Sequence, residues 1–424
     1  MKQGNKTARL RVMVFGSGSP AQGVLHALKE SGAEVSTYLT SEGKRYAPSL
    51  EGEVFSSEMH PDPTAIIREK KVELIVPMSI DWNFTEWTAA LISSGTPILS
   101  PVGDAMQLER NRAFAARLCE KYKIPFPKSF VARNRLEAEK ILTKKSIPYV
   151  IKNPFCSPSS PLHTIVCETP EETRSWLNRI NYAEGVFLQE YMGLREAGHI
   201  AFVSAGEVYS LVTNQEYKRA FDGNMGIVAG APLGGLVEKD PDDKYGLARE
   251  LLHPLLPWFR EVQFSGPVQV TAIFYKERWH VLEYNVRIGV TCGPIILQML
   301  KDPLTVLMDV ARNKETTIQF RDDLSFGCSL TLAGYGYPYS QVEGAQFPVR
   351  VLGKFDSHVW WNEVRKNTKG ELYTTGQRIA DVVAITATLQ EAIDKAYENI
   401  SKIHCLGSYY RTDIGQCLWP PGSD

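Results

Sequence analysis

Trp279-His280-Val281-Leu282-Glu283-Tyr284-Asn285-Val286-Arg287-Ile288-Gly289 begins as an apolar strand pattern and ends in a polar cluster. Side chains at i, i+2 and i+4 of a β-strand project from one face. Glu283, Asn285 and Arg287 should therefore share a face, with Leu282, Tyr284 and Val286 on the other. A carboxylate and an amide oxygen are hard donors that suit Mg²⁺ or Mn²⁺, ions that keep bonds to nucleotide phosphates. The guanidinium two residues on can grip an anion through two parallel hydrogen bonds. The same spacing also fits a half-buried strand with a solvated polar face, so the neighbouring segments decide.

The chain has 424 residues, enough for about three domains. Hydrophobic residues make up 43% and charged residues 22%, ordinary for a globular protein. A net charge of −1 gives no reason to expect a nucleic-acid-binding surface. Met1 to Arg11 is polar and basic and leads into a short strand, not the apolar core of a signal peptide, and no apolar run is long enough to span a bilayer. The seven cysteines (119, 156, 167, 292, 328, 405 and 417) are odd in number and lack C-x-x-C spacing. That pattern fits free thiols in a reducing cytosol better than disulfides or zinc. The expectation is a cytoplasmic protein, monomer or homodimer, that works on small molecules without nucleic acid or membrane.

Leu10–Phe15 reads as a buried strand, Gly16-Ser17-Gly18-Ser19-Pro20 as a turn, and Ala21–Ser31 as a helix. Strands at Ala33–Tyr38, Val72–Pro77 and Pro97–Ser100 alternate with helices, which predicts a parallel sheet. Ligands bind such sheets at the carboxyl ends of the strands, which gathers Ser17, Ser19, Met78, Ser79 and Asp81 around one crevice. The turn matches G-x-G-x-x-G only in part, because Ala21 stands where the third glycine would be. Asp104–Tyr122 reads as one helix and Asn134–Thr143 as another, capped by Asn134. Lys152 ends an apolar strand, Tyr149–Lys152, where it either snorkels to solvent or meets a phosphate. Asp222–Gly235 reads as a long ordered loop, and Val268–Tyr275 with Trp279–Tyr284 as a hairpin. The chain turns antiparallel from Ser325 and ends in an amphipathic helix, Leu389–Ile403. Lone histidines such as His163 and His199 read as structural, since nothing in the sequence orients them. The expected division is 1–103, 104–190, 191–322 and 323–424.

Five short segments then carry a resemblance. Glu283-Tyr284-Asn285-Val286-Arg287-Ile288-Gly289 resembles the E-F-N-x-R-F-G motif of glycinamide ribonucleotide synthetases, the phosphoribosylamine–glycine ligases of the ATP-grasp superfamily. Gln215-Glu216-Tyr217-Lys218-Arg219 resembles their Q-D-H-K-R, and Ala333-Gly334-Tyr335-Gly336-Tyr337-Pro338 their A-x-G-Y-P turn. Thr375-Gly376-Gln377-Arg378 resembles S-G-G-R, and Tyr410-Arg411-Thr412-Asp413-Ile414-Gly415 the C-terminal Y/C-R-x-D-I-G. The resemblance runs from Val12 to Gly415. It implies an α/β multidomain ATP-grasp fold with an N-terminal parallel-sheet domain, a small lid, a large domain and a C-terminal antiparallel domain.

It also implies roles. Arg112 and Lys152 would hold ATP phosphates; Gln189, Glu190, Tyr191 and Met192 would form the adenine hinge, and Glu196 would touch the ribose. Glu283 and Asn285 would bind Mg²⁺, and Arg287, Lys152 and Lys218 would serve the reacting groups. The substrates would meet Ser17, Gly18, Ser19, Asp81, Arg219, Asp222, Asn224, Arg287, Thr291 and Arg378. The implied chemistry is phosphorylation of a carboxylate by ATP, then displacement of phosphate by an amine. Such chemistry needs charge neutralisation and in-line positioning, not a nucleophilic Ser or Cys.

The sequence departs from the family at the first loop, which lacks Arg-Glu-His, and at Pro77–Trp82. It departs again at Ser157-Pro158-Ser159-Ser160-Pro161, which lacks the lid lysine, at Ile227–Pro232, and at Val290-Thr291-Cys292. Nucleotide and metal positions are better kept than substrate positions. The expectation is therefore a carboxylate–amine ligase with a changed substrate pair. The purine enzyme itself and a degenerate nucleotide-binding relative are the alternatives.

Overall fold

The computed structural model describes residues 9–39, 44–156, 164–340, 346–374 and 376–416. The loop 157–161, His163, Thr375 and Cys417 lie outside them. Strands β1 (Arg11–Phe15), β2 (Glu34–Leu39), β3 (Glu53–Ser56) and β4 (Leu74–Pro77) form a parallel sheet of order β3-β2-β1-β4. β1 and β4 are apolar on both faces because both faces are covered. The strand expected at Pro97–Ser100 shrinks to one parallel bridge, Ile75 to Ile98. β3 was not anticipated; its four residues, two of them polar, carry too little pattern. The helix Gly18–Glu30 packs against this sheet and against the C-terminal half of the chain. The approach is tightest at Gly23, where a Cβ would lie 2.8 Å from both Pro294 and Trp360.

Next, β5 (Ser129–Ala132), β6 (Tyr149–Lys152), β7 (Ile165–Val166) and β8 (Val186–Glu190) form a small antiparallel sheet of order β5-β8-β6-β7. Asn134 caps its first helix by accepting from the Glu137 N–H (3.0 Å), and Thr169 caps its second by accepting from Glu172 (3.1 Å). The long helix expected over 104–122 is instead broken at Asn111, which is extended (φ −122°, ψ 103°). Asn111 bridges to Phe155 there, and its side chain caps the new helix Arg112–Lys121 through the Phe114 N–H (3.1 Å). The break thus docks the segment after β6 onto the start of the helix that carries Arg112.

The remaining strands are β9 (Glu196–Ser204), β10 (Glu207–Tyr217), β11 (Arg219–Phe221), β12 (Met225–Val228), β13 (Gly234–Lys239), β14 (Gly266–Tyr275), β15 (Arg278–Asn285), β16 (Phe326–Ala333), β17 (Phe347–Val351), β18 (His358–Trp361), β19 (Val364–Lys366), β20 (Leu372–Thr374), β21 (Arg378–Thr386) and β22 (Ile403–Cys405). Eight of them make one sheet of order β15-β14-β9-β10-β13-β16-β21-β18, so the antiparallel β13–β16 pair joins the two later segments of the chain. β19-β20-β17-β22 form a side sheet. The segment expected as a glycine-rich loop folds as a β11–β12 ribbon followed by β13. The β14–β15 hairpin turns through Lys276 and Glu277, both at positive φ (49° and 62°), as a two-residue turn of matching twist requires. Among the described residues no helix is long and apolar enough to cross a membrane, and the described cysteines are free thiols.

Candidate active site

The strand read first does not alternate cleanly. Thr271 pairs with Glu283 but Ala272 pairs with Val281, so Leu282 is an extra residue, a β-bulge. The bulge corrects the expected face. Val281, Tyr284 and Val286 are buried in the core, whereas Leu282 lines a cleft with Glu283 and Asn285. Its freed carbonyl accepts from Lys152 Nζ and from Gln189 Nε2, each at 3.3 Å. The strand ends because the Val286 N–H donates to Glu109 Oε2 (2.6 Å) rather than to a neighbouring strand.

The cleft holds about 1000 Å³ between the small sheet and the large one. At its centre Glu283 accepts from Arg112 (2.9 Å), with Lys152 Nζ at 3.8 Å. Burial alone would raise the Glu283 pKa, but Lys152, Arg112 and Lys218 outweigh it and hold the carboxyl well below its ordinary range. Burial, with Arg112 and Lys218 in the same direction, pushes Lys152 down to about 8 against the pull of Glu283. Lys218 lies 3.3 Å from Glu196 and 3.8 Å from Glu216. Burial lowers its pKa, but these acids outweigh burial and raise it. Arg287 Nε sits 3.3 Å from Glu109, and its Nη2 donates to Asn285 Oδ1 at 3.4 Å. Burial raises the Glu109 pKa despite Arg287. Glu109 was missed by the sequence reading; the available signal was an acid on a helical turn otherwise filled by Ala105, Met106 and Leu108.

Gln189, Glu190, Tyr191, Met192 and Glu196 line the same cleft. The Glu190 side chain turns away to Lys145 (2.6 Å). The Glu190 and Tyr191 N–H groups donate to the carbonyls of Lys128 and Pro148. Arg219 and Asn224 also line the cleft, with Arg411 and Asp413 behind them. Arg219 pairs with Glu168 (2.9 Å), an ion pair that crosses from the ribbon to the segment after β7.

Other expected substrate residues lie elsewhere. Both Asp222 oxygens are used by Thr412, through its N–H (2.8 Å) and its hydroxyl, so Asp222 fastens the ribbon. Asn224, though in the cleft lining, accepts from the buried Arg411 (3.3 Å). Thr291 is buried, its methyl filling the space over Gly235. Asp81 accepts from the Ser79 hydroxyl (2.5 Å) at the end of β4, outside the cleft lining. Ser17 and Gly18 open the first helix, also outside the lining, and Gly18 abuts Asn362. Ser19 donates to Asp381 (2.5 Å), which also accepts from Thr331 (2.6 Å) and from Arg378 (2.8 and 2.9 Å). These residues form a second polar cluster around an internal carboxylate, and two of them, Ser19 and Arg378, are ones that sequence reading placed with the substrates. His199, read as lacking an orienting partner, has one: Thr213 (3.0 Å), which donates onward to Asp240 (2.7 Å).

Comparison with known proteins matches this arrangement. Residues 110–291 match the family model described as phosphoribosylglycinamide synthetase, ATP-grasp (A) domain, and residues 327–417 match its C domain. A phosphoribosylamine–glycine ligase of Fusobacterium nucleatum is 24% identical over 97% of this chain and 99% of its own length. One from Leifsonia xyli is 28% identical over 76% of this chain and 78% of its own. Among solved structures, the phosphoribosylamine–glycine ligase of Thermotoga maritima superposes with a TM-score of 0.75 at 22% identity, covering 95% of this chain and all of that one (100%). The biotin carboxylase domain of Hydrogenobacter thermophilus 2-oxoglutarate carboxylase, solved with MgADP, gives 0.69 at 15% identity, covering 94% and 91%. The two family models together take in most of the chain, and the chain belongs to the phosphoribosylglycinamide synthetase family: it is an ATP-grasp ligase that uses ATP and Mg²⁺ to join a carboxylate to an amine.

Proposed function

We propose that the enzyme activates the carboxylate of a small amino acid as an acyl phosphate beside Glu283 and couples it to a primary amine of the phosphoribosylamine type. The observation that carries this is the ring of Arg112, Lys152 and Lys218 around a carboxylate kept ionised, with Asn285 and Arg287 next to it in one cleft. An ionised carboxylate and an amide oxygen fit the hard-donor preference of Mg²⁺. Glu283 and Asn285 would hold the ion, which supplies charge neutralisation on the phosphates. Lys152 and Arg112 would turn from Glu283 to phosphate oxygens, and Arg287, fixed by Glu109, would steady the carboxylate. A carboxylate oxygen attacks the γ-phosphorus and ADP leaves with the bridging electron pair. The amine nitrogen then attacks the acyl carbon, inorganic phosphate departs, and the nitrogen gives up a proton. No nucleophilic side chain is needed.

The names of the full-length relatives support glycine and 5-phosphoribosylamine as the pair. A second reading, a changed pair, is favoured by one observation: the Ser19 hydroxyl and Arg378 Nη2, expected to face substrate, are already bonded to Asp381. ADP release under Mg-ATP with glycine and phosphoribosylamine, against a panel of other amino acids and amines, separates the two. A reducing cytoplasmic setting is part of the proposal, supported by the free thiols.

A further inference from the structure

One feature of the sheet floor is unused by this chemistry. Register aligns Glu283 with Thr271, Thr271 with Gly198, and Gly198 with Asn214. Residues directly opposite on adjacent strands share a face, so Asn214 lies on the same face as Glu283. Asn214 is 3% exposed, and neither its Oδ1 nor its Nδ2 meets an oxygen or nitrogen partner among the described residues; the Cys292 thiol, a weak partner, lies beside it. Native folds leave few buried polar atoms unsatisfied. The residue between, Gly198, has no side chain, and the amide leans over it. A Cβ on Gly198 would lie 2.4 Å from Asn214 Oδ1 and 3.2 Å from Gln269 Nε2. Gln269, paired in register with Asn285, lines the cleft. A Cβ on Gly289 would lie 3.3 Å from Gln269 Oε1. Two glycines thus leave two carboxamides converging one residue from Asn285, with Gln269 the one of the pair that reaches the cleft.

We propose that Gln269, backed by Asn214, forms a subsite for a neutral hydroxyl or carboxamide group on a substrate, beside the reacting carboxylate. Carboxamides offer donors and acceptors but no charge, so they pair best with a group that also does both. The proposal rests on the ligase reading above. The group could belong to the carboxylate substrate or to the amine, and the test separates these sources.

The test uses the full-length protein with Mg-ATP. In the carboxylate arm, serine is compared with alanine, and hydroxylamine replaces the amine. Its nitrogen attacks the acyl phosphate, phosphate leaves, and a hydroxamate is measured. In the amine arm, glycine is held fixed and ethanolamine is compared with propylamine by ADP release. In one arm, kcat/KM should favour the hydroxyl compound by about tenfold or more, as sites built to bond a hydroxyl reject analogues lacking it. Gln269→Met should collapse that ratio, and Gln269→Glu serves if the Met variant melts early. Equal kcat/KM within both pairs, or a ratio that survives in a folded Gln269 variant, overturns the subsite. If no pair releases ADP and glycine with phosphoribosylamine releases none either, the ligase reading fails instead. Titration of serine against alanine into the MgADP complex then decides the subsite alone. A serine preference lost in Gln269→Met supports it, and no preference overturns it.

Discussion

Glu283 stands among three cations, and its removal shows what each is for. Glu283→Gln leaves Arg112, Lys152 and Lys218 facing one another and takes away the charged metal donor. Turnover should fall by roughly 100-fold or more, with a higher Mg²⁺ requirement, by the scale of lost electrostatic stabilisation; steady-state rates across a Mg²⁺ titration check this. Lys152, at about 8, makes a pH prediction with two signs. Nucleotide affinity should weaken as pH rises through that value, because the neutral amine no longer pairs with phosphate. The stability of the empty protein should rise over the same window, since its folded pKa is depressed and the unfolded chain holds the extra proton up to about 10.4. Nucleotide titration and denaturant melts between those pH values measure both. Glu109→Gln should lower kcat by about tenfold or more with a smaller change in KM, if the carboxylate positions Arg287 for the transition state. At this scale the sequence was legible where chemistry sits on one strand: the period of two brings Glu283 and Asn285 together. It was not legible where partners are far apart. Glu109 and Val286 are 177 residues apart, and Asp381, which takes the Ser19 hydroxyl and Arg378 Nη2, belongs to no motif read from the sequence.

Elements place these residues through two irregularities. The bulge at Leu282 turns a backbone carbonyl toward Lys152 and Gln189. The helix break at Asn111 sets Arg112 at a fresh N-terminus against the segment that follows β6. Neither shows in apolar periodicity, because each is a one-residue departure from a regular pattern. Strands β1, β2, β4, β6, β14 and β15 and the Asn134 cap, which follow the pattern, were readable. The ribbon β11–β12 was taken for a loop because its glycines hide a pairing only two residues deep. The ribbon makes its own prediction. The Glu168–Arg219 pair joins it to the small sheet across the cleft. Glu168 is half exposed, so the pair should be weak and screened by salt. Glu168→Ala should raise KM for ATP a few-fold at low ionic strength and much less at high ionic strength, as KM measured at both would reveal.

The whole molecule is held around the cleft by contacts distant in sequence. The first helix packs on the C-terminal half at Gly23, and β13–β16 makes one sheet from two stretches of chain. Near the end, Arg411 is 2% exposed, donates to the Arg219 carbonyl and Asn224, and pairs with Asp413 (2.6 Å). Arg411→Met should cost about 3–5 kcal/mol, the usual range for breaking a buried ion pair, and should loosen the cleft wall; urea unfolding with nucleotide affinity in parallel tests it. Gross architecture was legible because five short motifs occur in family order. The substrate side was not, because Gly18, Ser19 and Arg378 meet residues that no motif includes. The most direct test of the central claim is hydroxamate formation from glycine, hydroxylamine and Mg-ATP by the purified full-length protein. One hydroxamate per ADP, abolished in Glu283→Gln, is the predicted result. Tight ATP binding with no hydroxamate and no ADP from glycine or any other amino acid would contradict it.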